Sequence, residues 1–269
     1  LLAIDGRVRQ PGKGGQRPRG FKEGEVIPAA AYVGAPMFAA AVFTALSLTG
    51  NDVTRAVFAP AIAHASGVSP ARKELLNRIS RKGVQALAHE DLAGELVAAV
   101  GKMAGGLLTK EDLVVDAITV TRCDVEERGE RTVAIAPWSR GVAIVAPGTR
   151  VEIILAADAH GRVAAACYEV ASDGIVIGAF DLKLPKHAIP VLRGKERAKP
   201  GDVIAAPAPL AILQGKSGWE AILGATASTS DGLLEAAAHA DLNELLRSLG
   251  STATAIARVD DRLSVLKGG

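Results

Sequence analysis

The spacing of apolar residues changes once along this chain, near Ala117, and this change limits the folds open to it. From Pro36 to about Asp116, apolar residues recur with the period of about 3.6 that is typical of a helix. From Ala117 to about residue 225 they alternate as in strands, in runs such as VEIILAA and GIVIGAF. A helical stretch rich in Ala and Leu follows near Asp231–Leu249. This order predicts an α+β fold, with helices packed on antiparallel sheet.

Capping signals mark where helices of the first half are expected to begin. Pro36 suits the first turn of a helix that runs to Leu48, because its missing N–H costs nothing there. Ser69-Pro70 combines an N-cap serine with a first-turn proline. Thr109 and Asp112 have the spacing of a capping box, with Asp in place of the usual Glu.

Helical spacing also predicts which residues face the core. The expected core positions are Leu75, Leu76 and Ile79 in one helix, and Leu92, Leu96, Ala99, Val100 and Met103 in the next. Gly105-Gly106 is expected to end the second of these helices. Asp52 is a candidate cap for an earlier helix through RAVFAPAIAHA, which Pro60 must bend or interrupt.

Short polar separators divide the strand-like runs of the second half. They have the composition of tight turns and predict hairpins and a meander rather than crossover units: Arg128-Gly129, Pro147-Gly148, Asp158–Gly161, Asp173-Gly174 and Gly215–Gly218.

Composition excludes several classes of function. Net charge is +2, from 31 basic and 29 acidic residues, so nothing favours a nucleic-acid partner or an anionic membrane. Two cysteines make neither a disulfide framework nor a zinc site, and the five histidines are scattered without metal-binding spacing. We therefore expect no metal and no cofactor. Aromatic residues are only 3% of the chain, so a core must be built from small aliphatic side chains in close contact.

Two segments near the start of the chain each leave two interpretations open. Residues 1–25, which include RVRQPGKGGQRPRG, predict an irregular basic arm ahead of a single domain at 26–269. That arm is a solvated loop or, alternatively, a nucleic-acid arm, although no aromatic residue is interleaved for stacking. Between Glu25 and Asp52 there is no charge, which predicts a buried core helix or, alternatively, a membrane span that Pro28, Gly34 and Pro36 would interrupt. The sequence does not define a compartment.

Several segments, in order along nearly the whole chain, resemble the gamma-glutamyltransferase family. AGGLLTKEDL is similar to the family's Gly-Gly-Leu-x-Thr-x-Glu-Asp-Leu signature and is the most specific of them. AIDGR, FAPAIAHASGVSP, VEERGERTVAIAPWSRG and AKPGDVIAAPAPLAIL with GWEAILGATAS resemble further family segments.

The resemblance implies the four-layer αββα sandwich of Ntn hydrolases. In that chemistry a precursor cuts itself before a threonine, whose hydroxyl then attacks a γ-glutamyl amide of the glutathione type. The freed α-amine of the threonine can act as the base, so no histidine or cofactor is needed. Water or an acceptor amine then resolves the acyl-enzyme. The partner implied is a small-molecule amide, and a homo-oligomer is compatible with it.

Two residues match the family's machinery. Arg7 lies where the resemblance places an arginine that binds the substrate carboxylate, a task that suits the guanidinium fork; the alternative is a solvated arginine in the arm. Thr149, after Gly148 and before a strand, is the candidate catalytic nucleophile; the alternative is an ordinary turn threonine. An ungapped match to the family would place Val151 at the nucleophile position. A shift of two residues would place Thr149 there instead, and it keeps the side chain on the same face of the strand.

Other positions depart from the family pattern. Arg150 and Val151 follow the nucleophile position, and nonpolar or acidic residues replace expected polar ones: Glu169, Ala171, Ala205-Ala206 and Thr226-Ala227-Ser228. The insert that precedes the cleavage point in the family is reduced to seven residues between Gly141 and Thr149. The sequence thus supports two hypotheses: an amide hydrolase or acyltransferase, including one for a different small amide, and an inactive relative that acts as a binding or assembly module.

Overall fold

The computed structural model describes residues 1–48, 54–115, 118–139, 149–158, 160–171, 174–204, 209–216, 218–226, 230–239, 241–259 and 262–268. Within them the protein is a mixed α+β structure with antiparallel sheets, as the change of period predicted. The helices are α1 (Phe38–Leu48), α2 (Thr54–Val68), α3 (Pro70–Lys82), α4 (Glu90–Val100), α5 (Lys110–Leu113), α6 (Ser230–Ala236) and α7 (Leu242–Leu249). Short 3-10 turns lie at Ala29–Tyr32, Gly83–Ala88, Lys102–Ala104, Pro137–Ser139 and Gly178–Phe180.

The strands of the described residues form one large sheet and three two-stranded pieces. They are β1 (Leu2–Ile4), β2 (Val120–Arg122), β3 (Asp124–Arg128), β4 (Arg131–Ile135), β5 (Thr149–Ala157), β6 (Val163–Ala171), β7 (Gly174–Ile177), β8 (Leu182–Pro185), β9 (Leu210–Gly215), β10 (Gly218–Ala225), β11 (Ala253–Val259) and β12 (Arg262–Lys267). The large sheet has the order β12-β11-β10-β9-β4-β3, and β1-β2, β5-β6 and β7-β8 pair separately. All these pairs are antiparallel.

One face of the six-stranded sheet packs on α6 and α7. Alternate residues of the sheet, such as Val133, Leu213 and Leu223, are buried against Leu233 and Leu245. This is the inward half of the period-2 pattern, and it is built from Ala, Val, Leu and Ile, as the low aromatic content requires.

The β5–β6 hairpin lies across the opposite face of that sheet. It contacts β9, β10 and β11, and a side chain at Gly224 would collide with Ile153, with a built Cβ only 2.9 Å from its Cδ1. Gly224 is thus a point of close approach between the two layers. β6 also contacts β8, which leads into the second core.

That second core joins the helical half of the chain to β7 and β8. Leu75, Leu96 and Val100 pack in one cluster with Ile177 and Leu184. The helices α1–α5 and their turns therefore stand on the side of the molecule away from α6 and α7, with strands between them.

Two of the local capping predictions are confirmed, whereas Pro36 lies ahead of α1, which begins at Phe38, and Asp52 lies outside the described residues. Ser69 caps α3 by accepting a hydrogen bond from the Arg72 N–H at 3.2 Å, with Pro70 at the first position. Thr109 and Asp112 form a reciprocal capping box on α5.

Other helix predictions are wrong in extent. Met103 lies beyond the end of α4 at Gly101 and is 95% exposed, because the chain turns away from the core before that residue. Pro60 lies inside α2 without ending it, so of the two predicted effects, a bend or an interruption, the interruption is wrong. The stretch Asp231–Leu249 is two helices, because Asp241 caps a new helix by accepting from the Asn243 N–H.

The surface position of α1 also differs from the prediction. Ala39 and Ala40 are buried, but Phe38 and Leu48 are about half exposed, because neighbouring elements cover only one side of this apolar helix. In the part of the chain that the structure describes, no helix is both long and apolar enough to cross a membrane.

Candidate functional site

The guanidinium of Arg7, the predicted carboxylate-binding residue, is already paired with the carboxylate of a neighbouring residue, Asp5. β1 pairs with β2, and the Asp5 N–H continues that pairing by donating to the Thr119 carbonyl at 2.9 Å. Arg7 then donates from Nε and Nη2 to the two carboxylate oxygens of Asp5, at 2.9 and 3.0 Å. Its guanidinium also lies over the Trp138 ring, 5.3 Å from the centroid. The fork that would meet a substrate carboxylate therefore already holds one.

The electrostatics of Asp5 follow from this pairing. Burial opposes ionisation, but the hydrogen bonds and charge of Arg7, with the charge of Arg9, outweigh it and hold the pKa of Asp5 below its ordinary value. Asp5 is 3% exposed and is an ionised carboxylate at neutral pH.

Arg9 lies two residues after Arg7, and its backbone is paired with two other parts of the chain. It forms bridges to Ala35 on one side and Val203 on the other, with the Arg9 N–H donating to the Ala35 carbonyl at 3.2 Å. Its side chain is 23% exposed and makes only long contacts: Nη1 to the Gly201 carbonyl at 3.5 Å and Nη2 to Asp5 at 3.7 Å. Its buried Nε has no acceptor among the described residues.

Gln10 fastens the same segment to the loop after β8. Its side-chain amide donates to the Ile189 carbonyl at 2.9 Å and accepts from the Ile189 N–H at 3.0 Å, as a neighbouring strand would. Gln10 is 1% exposed, so both of its polar atoms are buried and satisfied.

Asp112 fastens the next part of the N-terminal segment to α5. Its carboxylate accepts from the N–H groups of Gly12 at 2.8 Å, Lys13 at 3.0 Å and Thr109 at 2.9 Å, and from the Thr109 hydroxyl at 3.1 Å. The segment predicted as an irregular arm is therefore docked on the body of the protein at this point.

A cavity of about 190 Å³ lies between these anchors. Its polar lining residues are Arg9, Gln10, Lys13 and Asp112, and Gly201 also lines it. Its apolar lining residues are Ala35, Met37, Val114 and Val115. A concave site with a few polar groups on an apolar lining is the usual form of a small-ligand pocket.

Thr149, the predicted nucleophile, is the first residue of β5, and its backbone is paired opposite Ala171. Gly148 and the rest of 140–148 lie outside the described residues. Ala205-Ala206 and Ala227-Ser228, which replace expected polar family positions, also lie outside them.

The β5–β6 pair also carries a buried contact between a carboxylate and an imidazole that the sequence did not predict. It lies two residue pairs along these strands from the pair of Thr149 and Ala171. Glu169 lies opposite Val151 and contacts the His187 Nε2 through one carboxylate oxygen, and both side chains are at least nine-tenths buried. The second carboxylate oxygen of Glu169 has no partner in the described structure. His187 follows β8, two residues before Ile189, so this pair is adjacent to the Gln10 anchor.

The described residues contain no group of three His, Cys, Asp or Glu side chains placed to hold a metal ion. Comparison of the sequence with protein-family models and with curated proteins gives no match. The resemblance to gamma-glutamyltransferases therefore rests on the residue patterns alone, and membership of that family stays a prediction.

Proposed function

We propose that this chain is a gamma-glutamyltransferase-like amide hydrolase or acyltransferase, in which the Thr149 hydroxyl attacks a γ-glutamyl or related small amide. The observation that carries the proposal is the position of Thr149 at the start of β5, a strand paired with β6 along its full length. A nucleophile needs a fixed backbone, and a paired strand provides one.

The packing order of the elements supports the proposed αββα architecture. α1–α5 pack with β7 and β8, β8 contacts β6, the β5–β6 hairpin lies on the six-stranded sheet, and that sheet lies on α6 and α7. A sandwich of this kind would present the first residue of an inner strand at one end of the molecule.

The proposed chemistry requires cleavage of the bond between Gly148 and Thr149. The new α-amine of Thr149 takes the proton of its own hydroxyl as the oxygen attacks the substrate amide carbon. The amine leaving group departs with that proton and leaves an ester on Thr149, which water or an acceptor amine then resolves.

The intact mass of the purified protein tests the proposal directly. We expect pieces of 148 and 121 residues, together with release of the anilide from a γ-glutamyl anilide. Thr149→Ala should abolish both, whereas Thr149→Ser keeps a hydroxyl and should retain part of both. A single uncut mass after long incubation, with no anilide release, would reject an Ntn-type enzyme.

The pairing of the Arg7 guanidinium with Asp5 favours a second candidate function. Because Asp5 occupies the guanidinium bidentately, the arginine that would bind a substrate carboxylate is engaged inside the protein. This is what a relative that has lost catalysis and serves as a binding or assembly module would show. Such a protein would remain uncut, would not hydrolyse the anilide, and would be unaffected by Thr149→Ala.

A further inference from the structure

The first two helices present large apolar side chains to solvent. On α1, Phe38 and Leu48 are about half exposed, and Val42 is more than one third exposed. On α2, Val57 is 49% exposed and Val68 is 62% exposed. We name these five residues the α1–α2 surface. Single apolar residues on a protein surface are common, whereas a group of them on adjoining elements marks an interaction site.

α1 and α2 adjoin through an aromatic contact. The Phe43 ring of α1 stacks on the Phe58 ring of α2, with the ring centroids 5.5 Å apart. Among the fifteen residues of α2, only Ala65 is buried, so most of the circumference of this helix faces solvent. A helix that uses so little of its surface within its own protein has the remainder available to a partner.

The near absence of charge on both helices indicates which partner fits. α1 has no charged residue, and α2 has one arginine, Arg55, and one histidine, His64. A strongly acidic or basic protein would find almost nothing to pair with here. A helix that lies on an anionic membrane is rich in Lys and Arg beside its apolar face, and these two helices are not. A second copy of the chain suits such a surface, because a two-fold axis brings the same patch of both copies together and uncharged patches do not repel.

The size of the two helices is compatible with a dimer contact. α1 and α2 have 11 and 15 residues, and at about 1.5 Å per residue they are about 16 and 22 Å long. With a helix width of about 11 Å they present a flat outline of roughly 400 Å² per copy, or roughly 800 Å² for two copies. The accessible area of a corrugated surface is larger than its outline, so the total approaches the roughly 1,000 Å² at which specific interfaces begin. This area predicts a weak, reversible dimer.

We propose that the α1–α2 surface is the contact between two copies of this chain, related by a two-fold axis that crosses α2 near its middle. This axis makes the two α2 helices antiparallel, so the Val57 end of one lies beside the Val68 end of the other. The two Arg55 side chains then lie toward opposite ends of the contact, roughly 18 Å apart along the helix, where salt screens their repulsion. The proposal goes beyond the reaction assigned to Thr149 and applies equally to an enzyme and to a binding module.

Sedimentation velocity of the full-length protein, from low to high micromolar concentration, tests the proposal. We expect a reversible change from monomer to dimer, with a dissociation constant in the micromolar range or weaker. The series should stop at the dimer, because a two-fold contact closes on itself. Flotation with phosphatidylcholine vesicles, with and without phosphatidylglycerol, measures binding to lipid. A monomer at every concentration, with or without vesicle binding, would overturn the proposal, and so would an oligomer that grows beyond two.

A charge placed on α2 locates the contact. Val57→Glu should fold normally, because the side chain is half exposed, and should weaken the dimer at least about tenfold by placing an unpaired carboxylate in an apolar contact. The matched control is Val265→Glu on β12, at a side chain that is 70% exposed, and it should leave the dimer unchanged. Circular dichroism confirms that both variants are folded. Equal dimerisation of wild type and Val57→Glu, or equal weakening by both variants, would overturn the proposal.

Cross-linking tests the position of the two-fold axis. Ala61 is the middle residue of α2 and is exposed, so Ala61→Cys in the two copies should be joined by a short bismaleimide. Val265→Cys on β12 is the control, and wild type reports the background from Cys123 and Cys167. We expect linked dimers from Ala61→Cys alone, and their loss when Val57→Glu is added. Val265→Cys that is linked as efficiently as Ala61→Cys would place the contact elsewhere and overturn the proposal.

Discussion

Asp112→Ala is expected to destabilise the protein by about 3–4 kcal/mol, because one buried carboxylate holds the N-terminal segment to α5. Asp112 is 4% exposed and accepts from the N–H groups of Gly12, Lys13 and Thr109 and from the Thr109 hydroxyl. Alanine removes every one of these acceptors and half of the capping box.

The magnitude follows from what becomes of the three N–H groups. An orphaned buried N–H costs about 1–3 kcal/mol, and the low end applies to Gly12 and Lys13 because that stretch of chain can move into water. Three such losses give roughly 3 kcal/mol, and loss of the hydrogen bond from the Thr109 hydroxyl adds about 0.5–1 kcal/mol. The sum remains near the lower end because the interactions share one carboxylate and are not additive.

Urea unfolding at neutral pH, followed by circular dichroism, measures this loss. For a slope near 3 kcal/mol per M, the midpoint should fall by roughly 1 M. Asp112→Asn retains one acceptor oxygen and should lose about half as much, and Glu95→Ala on the exposed side of α4 is the control. A loss below about 1 kcal/mol for Asp112→Ala would show that this network does not fasten the segment.

Three further perturbations test other parts of the structure. Because the pKa of Asp5 is lowered in the folded state, its contribution to stability is present above the ordinary carboxylate pKa, about 4, and is lost as pH falls through the lower folded value. Asp5→Asn should therefore reduce stability at pH 7 and flatten its acid dependence in urea titrations, and an unchanged acid dependence would refute this. Leu245→Ala, at a fully buried position of α7, should lower the free energy of unfolding by about 2–5 kcal/mol in urea titrations. The control is Leu263→Ala on β12, where the side chain is 47% exposed and the loss should be less than about 0.5 kcal/mol. Equal losses would contradict the assigned core. His187→Ala should cost about 3–5 kcal/mol by leaving Glu169 buried and unpaired, and the double variant with Glu169→Leu should recover part of that loss; simple additivity of the two losses would argue against the pair.

Features set by neighbouring residues could be predicted from the sequence. The cap of α3 and the box on α5 depend on residues no more than three apart, so the local pattern contains all the necessary information. The hairpin turns at Gly129 and Gly161 were predicted for the same reason, and both glycines have positive φ. The β11–β12 hairpin was not predicted, although ATAIARV and RLSVLK alternate as strands do.

Features set by distant contacts could not be predicted. α1 has no charged residue and reads as buried from its composition, but its exposure depends on which elements pack beside it. Glu169 and His187 belong to different strands and loops, and no spacing pattern marks residues that meet across a fold. In the sequence, Glu169 stands out only as a departure from the family pattern. In the structure, its carboxylate contacts the buried imidazole of His187.

Arg7 and Arg9 show why a sequence motif does not reveal which side chains are already paired inside the protein. In an extended chain, positions 5, 7 and 9 point to the same side, so one carboxylate at Asp5 is within reach of both guanidinium groups. Arg7 takes it in a close bidentate pair, and Arg9 is left 3.7 Å away with its Nε unsatisfied in the described structure. Asp5 thus pairs closely with only one of the two arginines. Because this pairing depends on three-dimensional geometry, the sequence could not predict that Asp5 engages Arg7 bidentately and leaves Arg9 at a distance.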